Sequence, residues 1–203
     1  APPDYLQGES VRIMYVHVPS AWMSMMIYAL MALFGIGALV WHVRAAEVLA
    51  MASAPIGAAF TLLALVTGSL WGRPTWGTYW IWDARLTSEL VLLFLYLGVM
   101  GLYNAFDEPR KGARAAALLS IVGLVNLPII HYSVVWWNTL HQPGSVGVTG
   151  SSIHPDMLWP LLIMALATKF YYGANLLTRT RVRLLEENRT RRWVRNWVLG
   201  ESG

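Results

Sequence analysis

The sequence contains no cysteine. Disulfides, zinc ribbons, iron–sulfur clusters and thiol nucleophiles are therefore excluded, and any metal would need His, Met, Asp or Glu as its ligand. Charge is scarce too. Only 13% of the 203 residues are Asp, Glu, Lys or Arg, against 56% hydrophobic, and mean hydropathy is +0.47. Soluble domains carry roughly a quarter charged residues, and a chain this short has too little interior to hide so much apolar surface. A soluble globular enzyme and a disordered chain are both excluded. The composition is that of an integral membrane protein. Repeats of solenoid period, low-complexity segments and soluble domain boundaries are missing as well, so residues 1–203 are expected to form one membrane domain.

Crossing the hydrocarbon core takes about 20 apolar residues in a helix. Ala21–Val43, Val48–Leu70 and Ala115–Trp137 hold no formal charge, and Met157–Leu177 holds only Lys169. Leu90–Phe106 is shorter and extends back through Leu86, with Glu89 in its first turn. The expected fold class is all-α: a polytopic membrane helix bundle of five spans, with a Trp-rich amphipathic segment on one face. Interior Gly35, Gly37, Pro55, Gly57 and Pro128 are tolerated in such helices, where neighbours satisfy the freed backbone groups.

Basic residues set the orientation. Arg44, Arg110, Lys111, Arg114 and the seven arginines between Arg179 and Arg195 fall on one side, with Arg12, Arg73 and Arg85 on the other. The tail 178–203 is thereby expected in the cytoplasm, and residues 1–20, 71–87 and 138–156 outside. The chain starts Ala1-Pro2-Pro3. One preceding helix would return the N-terminus to the cytoplasm, which makes six helices the expectation for the full-length protein. The net charge of +4 is concentrated in the tail and gives no reason to expect nucleic acid. Leu184, Leu185, Trp193, Val194, Trp197 and Val198 are interleaved with the arginines there. That mix describes an amphipathic helix on the inner surface of the lipid bilayer, with docking of a cytoplasmic partner as the sharper alternative.

The outer segment Trp71–Thr87 (WGRPTWGTYWIWDARLT) holds four of the eleven tryptophans. If it is helical, Trp76, Tyr79, Trp80 and Asp83 fall on one face at i, i+3, i+4 and i+7. The result is an aromatic shelf beside an acid, flanked by Arg73 and Arg85. Trp and Tyr gather at membrane interfaces without any ligand, but four Trp in twelve residues exceed what a belt requires. A planar apolar ligand with anionic edges suits such a shelf, since the rings would bury its faces and the arginines would pair with its carboxylates.

Five histidines supply the strong neutral metal ligands. His17 precedes the first span and His141 follows Trp136-Trp137, so both reach the face that carries the Trp-rich segment. If the helix continues that far, Trp137 and His141 share a side four residues apart. Two axial imidazoles closing on the iron of a planar macrocycle is a coherent arrangement; a purely structural role for each His is the alternative. His154, before Pro155 and Asp156, fits a helix cap. His131 lies about six residues inside its span and His42 at the inner end of its own.

The run WGTYWIWDARLTSELVLLFLY resembles the WWD signature of the haem-handling superfamily. With YVHVPSAWMSM, APIGAAFTLLALVTGSLWGRPTWGTYWIWDARLTSEL and VNLPIIHYSVVWWNTLHQ it is similar to the haem exporter C (CcmC) family of cytochrome c maturation, over residues 1 to about 142. The resemblance implies a six-helix protein of the bacterial inner membrane that holds haem b (iron protoporphyrin IX) at its periplasmic face. It implies presentation of that haem to a periplasmic haem chaperone. The implied partners are the ATPase and membrane subunits of an ABC transporter and a small single-helix membrane protein. Position by position, it makes His17 and His141 the axial ligands and Trp76, Trp80, Trp82, Asp83 and Arg85 the WWD core. Trp71 and Trp137 are flanking aromatic contacts. His131 is left to packing or to a polar contact inside the bundle.

Three rival functions have sequence features against them. A b-type electron-transfer cytochrome needs His ligands at matching depth, whereas His42 and His131 lie near opposite ends of their spans, roughly 20 Å apart in depth. A solute-conducting bundle usually leaves several ionisable groups at membrane depth, and Lys169 is the only mid-span example. Haem lyases of the same superfamily are longer. No Ser–His–Asp or paired-carboxylate set falls on the outer side. Glu89, in its span's first turn beside the shelf, could stabilise a charge in the site, though an acid favoured by the helix dipole is the simpler account. Ligand exchange and presentation is the expected chemistry rather than bond-making by catalytic side chains.

Overall fold

The computed structural model describes residues 1–142, 144–147 and 150–199; residues 200–203 of the basic tail lie outside the described residues. Seven α-helices are described: α1 (Met14–Val40), α2 (Arg44–Trp76), α3 (Ala84–Asn104), α4 (Pro109–Val122), α5 (Asn126–Trp136), α6 (Pro155–Glu187) and α7 (Arg192–Leu199). A 3-10 turn, Gly123–Val125, joins α4 to α5, so that Pro109–Trp136 runs as one span of 28 residues. Together with α1, α2, α3 and α6 this makes five described helical segments long and apolar enough to cross a membrane. The protein is an all-α, multi-pass membrane bundle.

The alternating direction of the spans puts the N-terminal residues and the loops 77–83 and 137–154 at one end, here the His17 end. The turns 41–43 and 105–108 and helix α7 lie at the other, the Arg44 end. α1 and α2 form the most extensive helix pair, with α6 packed across both and α3 bridging α2 to α4 and α5. In lipid there is no hydrophobic drive between helices, so close backbone approach and interhelical hydrogen bonds supply the cohesion. One buried stripe of α2 is accordingly small: Ala46, Ala50, Ser53, Ala54, Gly57, Thr61 and Ala64, with Val48, Met51, Ile56 and Phe60 buried to either side of it. Gly57 is glycine because the ring of Tyr96 occupies the place of a Cβ. Tyr96 donates to Ser24 O at 2.7 Å and stands edge-on to Tyr28, 5.0 Å between centroids. Ser53 Oγ and Tyr172 Oη, 2.9 Å apart, tie α6 to α2, and Asn126 donates to Ser88 O at 2.9 Å.

Two helix ends differ from expectation. α2 runs past Leu70 to Trp76 and stops where Gly77 adopts the left-handed conformation (φ 81°), which costs glycine nothing and other residues much. Residues 77–83 are irregular, and Asp83 opens α3 as an N-cap that accepts from Leu86 N at 2.8 Å. The helical face Trp76, Tyr79, Trp80, Asp83 therefore does not form. At the other end of the loop region, α5 stops at Trp136, and Trp137 is extended (φ −133°, ψ 158°), so Trp137 and His141 share no helical face.

His131 also departs from expectation. α5 buries Asn126, Ile130 and Ser133, spaced i, i+4 and i+7. His131, one residue on from Ile130, is turned out of the bundle and exposed, touching Tyr132 edge-on at 4.8 Å. His154 caps α6, its Nδ1 accepting from Asp156 N at 3.4 Å.

Candidate functional site

A cleft of about 220 Å³ opens at the His17 end between α1, the last two turns of α2 and the loop that follows α5. One wall is a helical stripe on α2: Gly68, Trp71, Gly72, Thr75 and Trp76, at i, i+3, i+4, i+7 and i+8. An aromatic shelf thus exists, one helical register earlier than the Trp spacing implied. The two glycines keep it flat, because a Cβ at Gly68 would lie 2.8 Å from His17 Cε1, and one at Gly72 would lie 3.1 Å from Thr78 O.

His17 projects from the start of α1 into this cleft. Its Nδ1 lies 3.0 Å from Ala64 O and 3.2 Å from Thr67 Oγ1. A carbonyl only accepts, and the Thr67 hydroxyl donates its own proton to Leu63 O at 2.6 Å. Nδ1 therefore carries the proton, which leaves Nε2 with a free lone pair. Trp71 stands edge-on to the ring at 5.8 Å and is itself fixed by an Nε1 hydrogen bond to Gln7 Oε1 at 2.9 Å.

His141 meets the cleft from the opposite side. Its ring lies against Trp76 at 4.6 Å, and its backbone N–H donates to Thr139 Oγ1 at 3.1 Å. Thr139 in turn donates to Asp83 Oδ2, so the cap of α3 also anchors the loop. The same carboxylate oxygen is 3.6 Å from His141 Nδ1, a charge contact longer than a hydrogen bond. Burial pushes the His141 imidazole below its ordinary value of 6.5, against the opposing pull of Asp83. The ring is therefore biased to its neutral, ligand-competent form.

Arg85 lines the cleft beside both histidines. Its Nη1 donates to Ile130 O at 2.7 Å, its one hydrogen bond among the described residues, and this leaves most of its five N–H donors for an anion. Beneath the cleft lies a pocket of about 40 Å³ lined by His17, His141, Arg85 and Glu89. Glu89 is 8% exposed and accepts from Ser24 Oγ at 2.7 Å. It sits in the second turn of α3, facing the bundle, and the helix-dipole account from sequence fails for it. The alternative weighed from sequence, a charge-stabilising group beside the shelf, is the one its position fits, and its i, i+4 spacing from Arg85 is the signal for it. Gln7 and Thr75 are further lining residues that sequence reasoning missed.

Not every expected residue reaches the cleft. Trp80 and Trp82 lie on the irregular loop, edge-on to each other at 5.4 Å, with Trp82 76% exposed. Trp137 packs edge-on against Trp136 at 5.7 Å and is half exposed. None of the three lines the cavity. Asp83 stands behind His141 rather than in the cleft wall.

Fold and site together define a class: a multi-pass membrane protein with two imidazoles, an arginine and an aromatic wall converging at one end. The family model described as "Heme exporter protein C" matches residues 1–195. Among similar proteins, the heme exporter protein C of Bradyrhizobium diazoefficiens is 55% identical over 194 residues, covering 92% of this chain and 74% of that protein. Those of Haemophilus influenzae and Escherichia coli K12 are 52% and 53% identical, covering 96% and 98% of this chain and 80% of each relative. The chain belongs to the heme exporter protein C (CcmC) family.

Proposed function

We propose that the protein binds haem b at the periplasmic face of the bacterial inner membrane and presents it to a periplasmic haem chaperone for c-type cytochrome maturation. The observation that carries this reading is the pair of imidazoles on one cleft. His17 has its Nδ1 proton committed to α2, and His141 has its Nδ1 turned toward Asp83, so each keeps Nε2 for a metal. Histidine ligands of metals are oriented in just this way, by carbonyls and carboxylates at the far nitrogen. Haem is the cargo here. It would offer an iron to His17 and His141, a ring face to Trp71 and Trp76, and propionates to Arg85.

The chain's own groups divide the work. His17 and the α2 wall form a preset half-site; His141 closes on it from a loop tied down by Thr139 and Asp83. The exposed Trp82 and Trp137 and the half-buried Trp80, on the loops that carry Asp83 and His141, are assigned to the mouth of the site, where the haem edge and the chaperone would meet. The arginine-rich Arg44 end favours the cytoplasm, which directs the cleft to the periplasm. The same assignment includes a complex with the ATPase and membrane subunits of an ABC transporter and a small single-helix membrane protein.

A visible spectrum of the purified protein with haemin, beside His17→Ala and His141→Ala, tests the reading. The wild type is expected to show a Soret band with low-spin α/β features, weakened or converted to high spin in each variant. A wild type that takes up no haemin would sink the ligand assignment.

A further inference from the structure

Lys169 is the fifteenth of 33 residues in α6, two residues past the centre of the apolar run Met157–Leu177, or about 3 Å at 1.5 Å per residue. A lysine near the end of a span reaches for the nearer surface, but Lys169 does the opposite. Its Nζ turns back toward Ala165 O, 3.4 Å away, and so toward the bilayer midplane rather than the arginine-rich end. That contact occupies one of three donors on an exposed side chain.

The bundle offers no counter-charge. α1, α4 and α5 contain no acid, and beyond Glu47, which pairs with Arg44, α2 contains none. The single acid of α3, Glu89, is buried at the His17 end and bonded to Ser24. In α6 itself the acids are Asp156, Glu186 and Glu187, at its two ends. An ionisable group at this depth pairs with another or lines a wet cavity, and Lys169 does neither among the described residues. Its surroundings are shaped for a helix. Leu162, Leu166 and Phe170 are exposed on the same face, and Gly173, four residues on, has open space where a Cβ would stand. Small residues of that kind let another backbone come close in a membrane.

We propose that the Lys169 face of α6 docks a membrane-spanning helix of a partner protein, which sets an Asp or Glu carboxylate against the Lys169 ammonium near the bilayer midplane. This surface is separate from the cleft and does not depend on what the cleft binds.

The test places a photo-crosslinker at Leu166 or Phe170 of the full-length protein in its native membranes and sequences the cross-linked peptides. The expected product is a partner helix with an acid at midplane depth. Lys169→Met should lower its yield about tenfold by stranding that acid, while Lys169→Arg keeps it. Lys169→Glu should lose the product, and exchanging the partner's acid for Lys should restore it. The full-length protein purified without partners should be as heat-stable with Lys169→Met as without it, or more so, which separates loss of a partner contact from loss of folding; a lowered melting temperature would overturn the proposal. Cross-links to lipid alone, to any segment of this protein's own chain, in the same or a second copy, or to a helix without an acid would overturn the proposal. Undiminished yield with Lys169→Met would do the same.

Discussion

The two histidines of the cleft are held in different ways. His17 sits on a helix, with its ring wedged against Gly68 and its Nδ1 bound to the α2 backbone. His141 sits on a loop, and among the described residues its links to the bundle's framework are Trp76, Thr139 and the cap residue Asp83. The proposed function, in which the site takes a ligand and then gives it up, gives a reason for such asymmetry. One half is preset and fixes where the ligand lies, and the other can withdraw at modest cost, because loops are drawn from the least stable parts of a fold.

The largest effect should come from breaking the loop side. Asp83→Ala removes the α3 cap, worth about 1 kcal/mol of stability, and at the same stroke frees Thr139 and the carboxylate contact to His141. Loss of such supporting partners typically costs about 10–100-fold in metal affinity. Haemin titrations should show that loss with His17 ligation retained, seen as a high-spin spectrum. If Asp83→Ala binds as tightly as wild type and stays low-spin, the loop half does not depend on its anchor.

A smaller effect should follow from disturbing the rigid side. Gly68→Ala puts a Cβ 2.8 Å from His17 Cε1, so the ring must tilt off Ala64 O. An affinity loss of about tenfold is expected for a misplaced ligand, with the helices themselves unaffected, since Ala is the better helix former. Unchanged circular dichroism beside weakened haemin binding would fit. Unchanged binding would show that the wedge does not position the ring.

The same contrast explains what was legible from sequence. The five spans were, because about 20 uncharged residues in a row leave a chain little choice but to cross the bilayer. The arrival of His17 and His141 at one end was legible as well, since span parity alone decides it. The end of α2 was missed although its signals, Gly77 and Asp83, are both in plain sequence; the Trp spacing happened to match a helical period and outweighed them. His131 was misplaced because the orientation of a uniformly apolar helix is set by a few packed residues, here Asn126, Ile130 and Ser133. Glu89 was legible as a group beside the shelf, but the helix-dipole account was preferred for the opposite reason. A carboxylate in a span invites a local explanation, while its partner, Ser24, is 65 residues away.

The smallest expected effect concerns pH and bears on whether acid could trigger release from the loop side. A protonated imidazole cannot ligate a metal, so acid competes with iron for the ring, and a ring whose own pKa is lowered needs more acid to be displaced. Burial lowers the value for His141, with Asp83 only partly offsetting it. At pH 6.5 the folded protein therefore keeps His141 mostly neutral, while the unfolded chain is already half protonated there. The linkage runs one way: the stability that the neutral ring contributes is complete above about pH 6.5 and declines as pH falls below it. Haemin bound by the wild type should keep its low-spin spectrum from pH 7.5 down through 6.5, and the melting temperature should begin to fall before the spectrum changes. A spectral midpoint at or above pH 6.5 would reverse that order. His141 would then be the acid-labile member of the pair, and release would not need the loop to move.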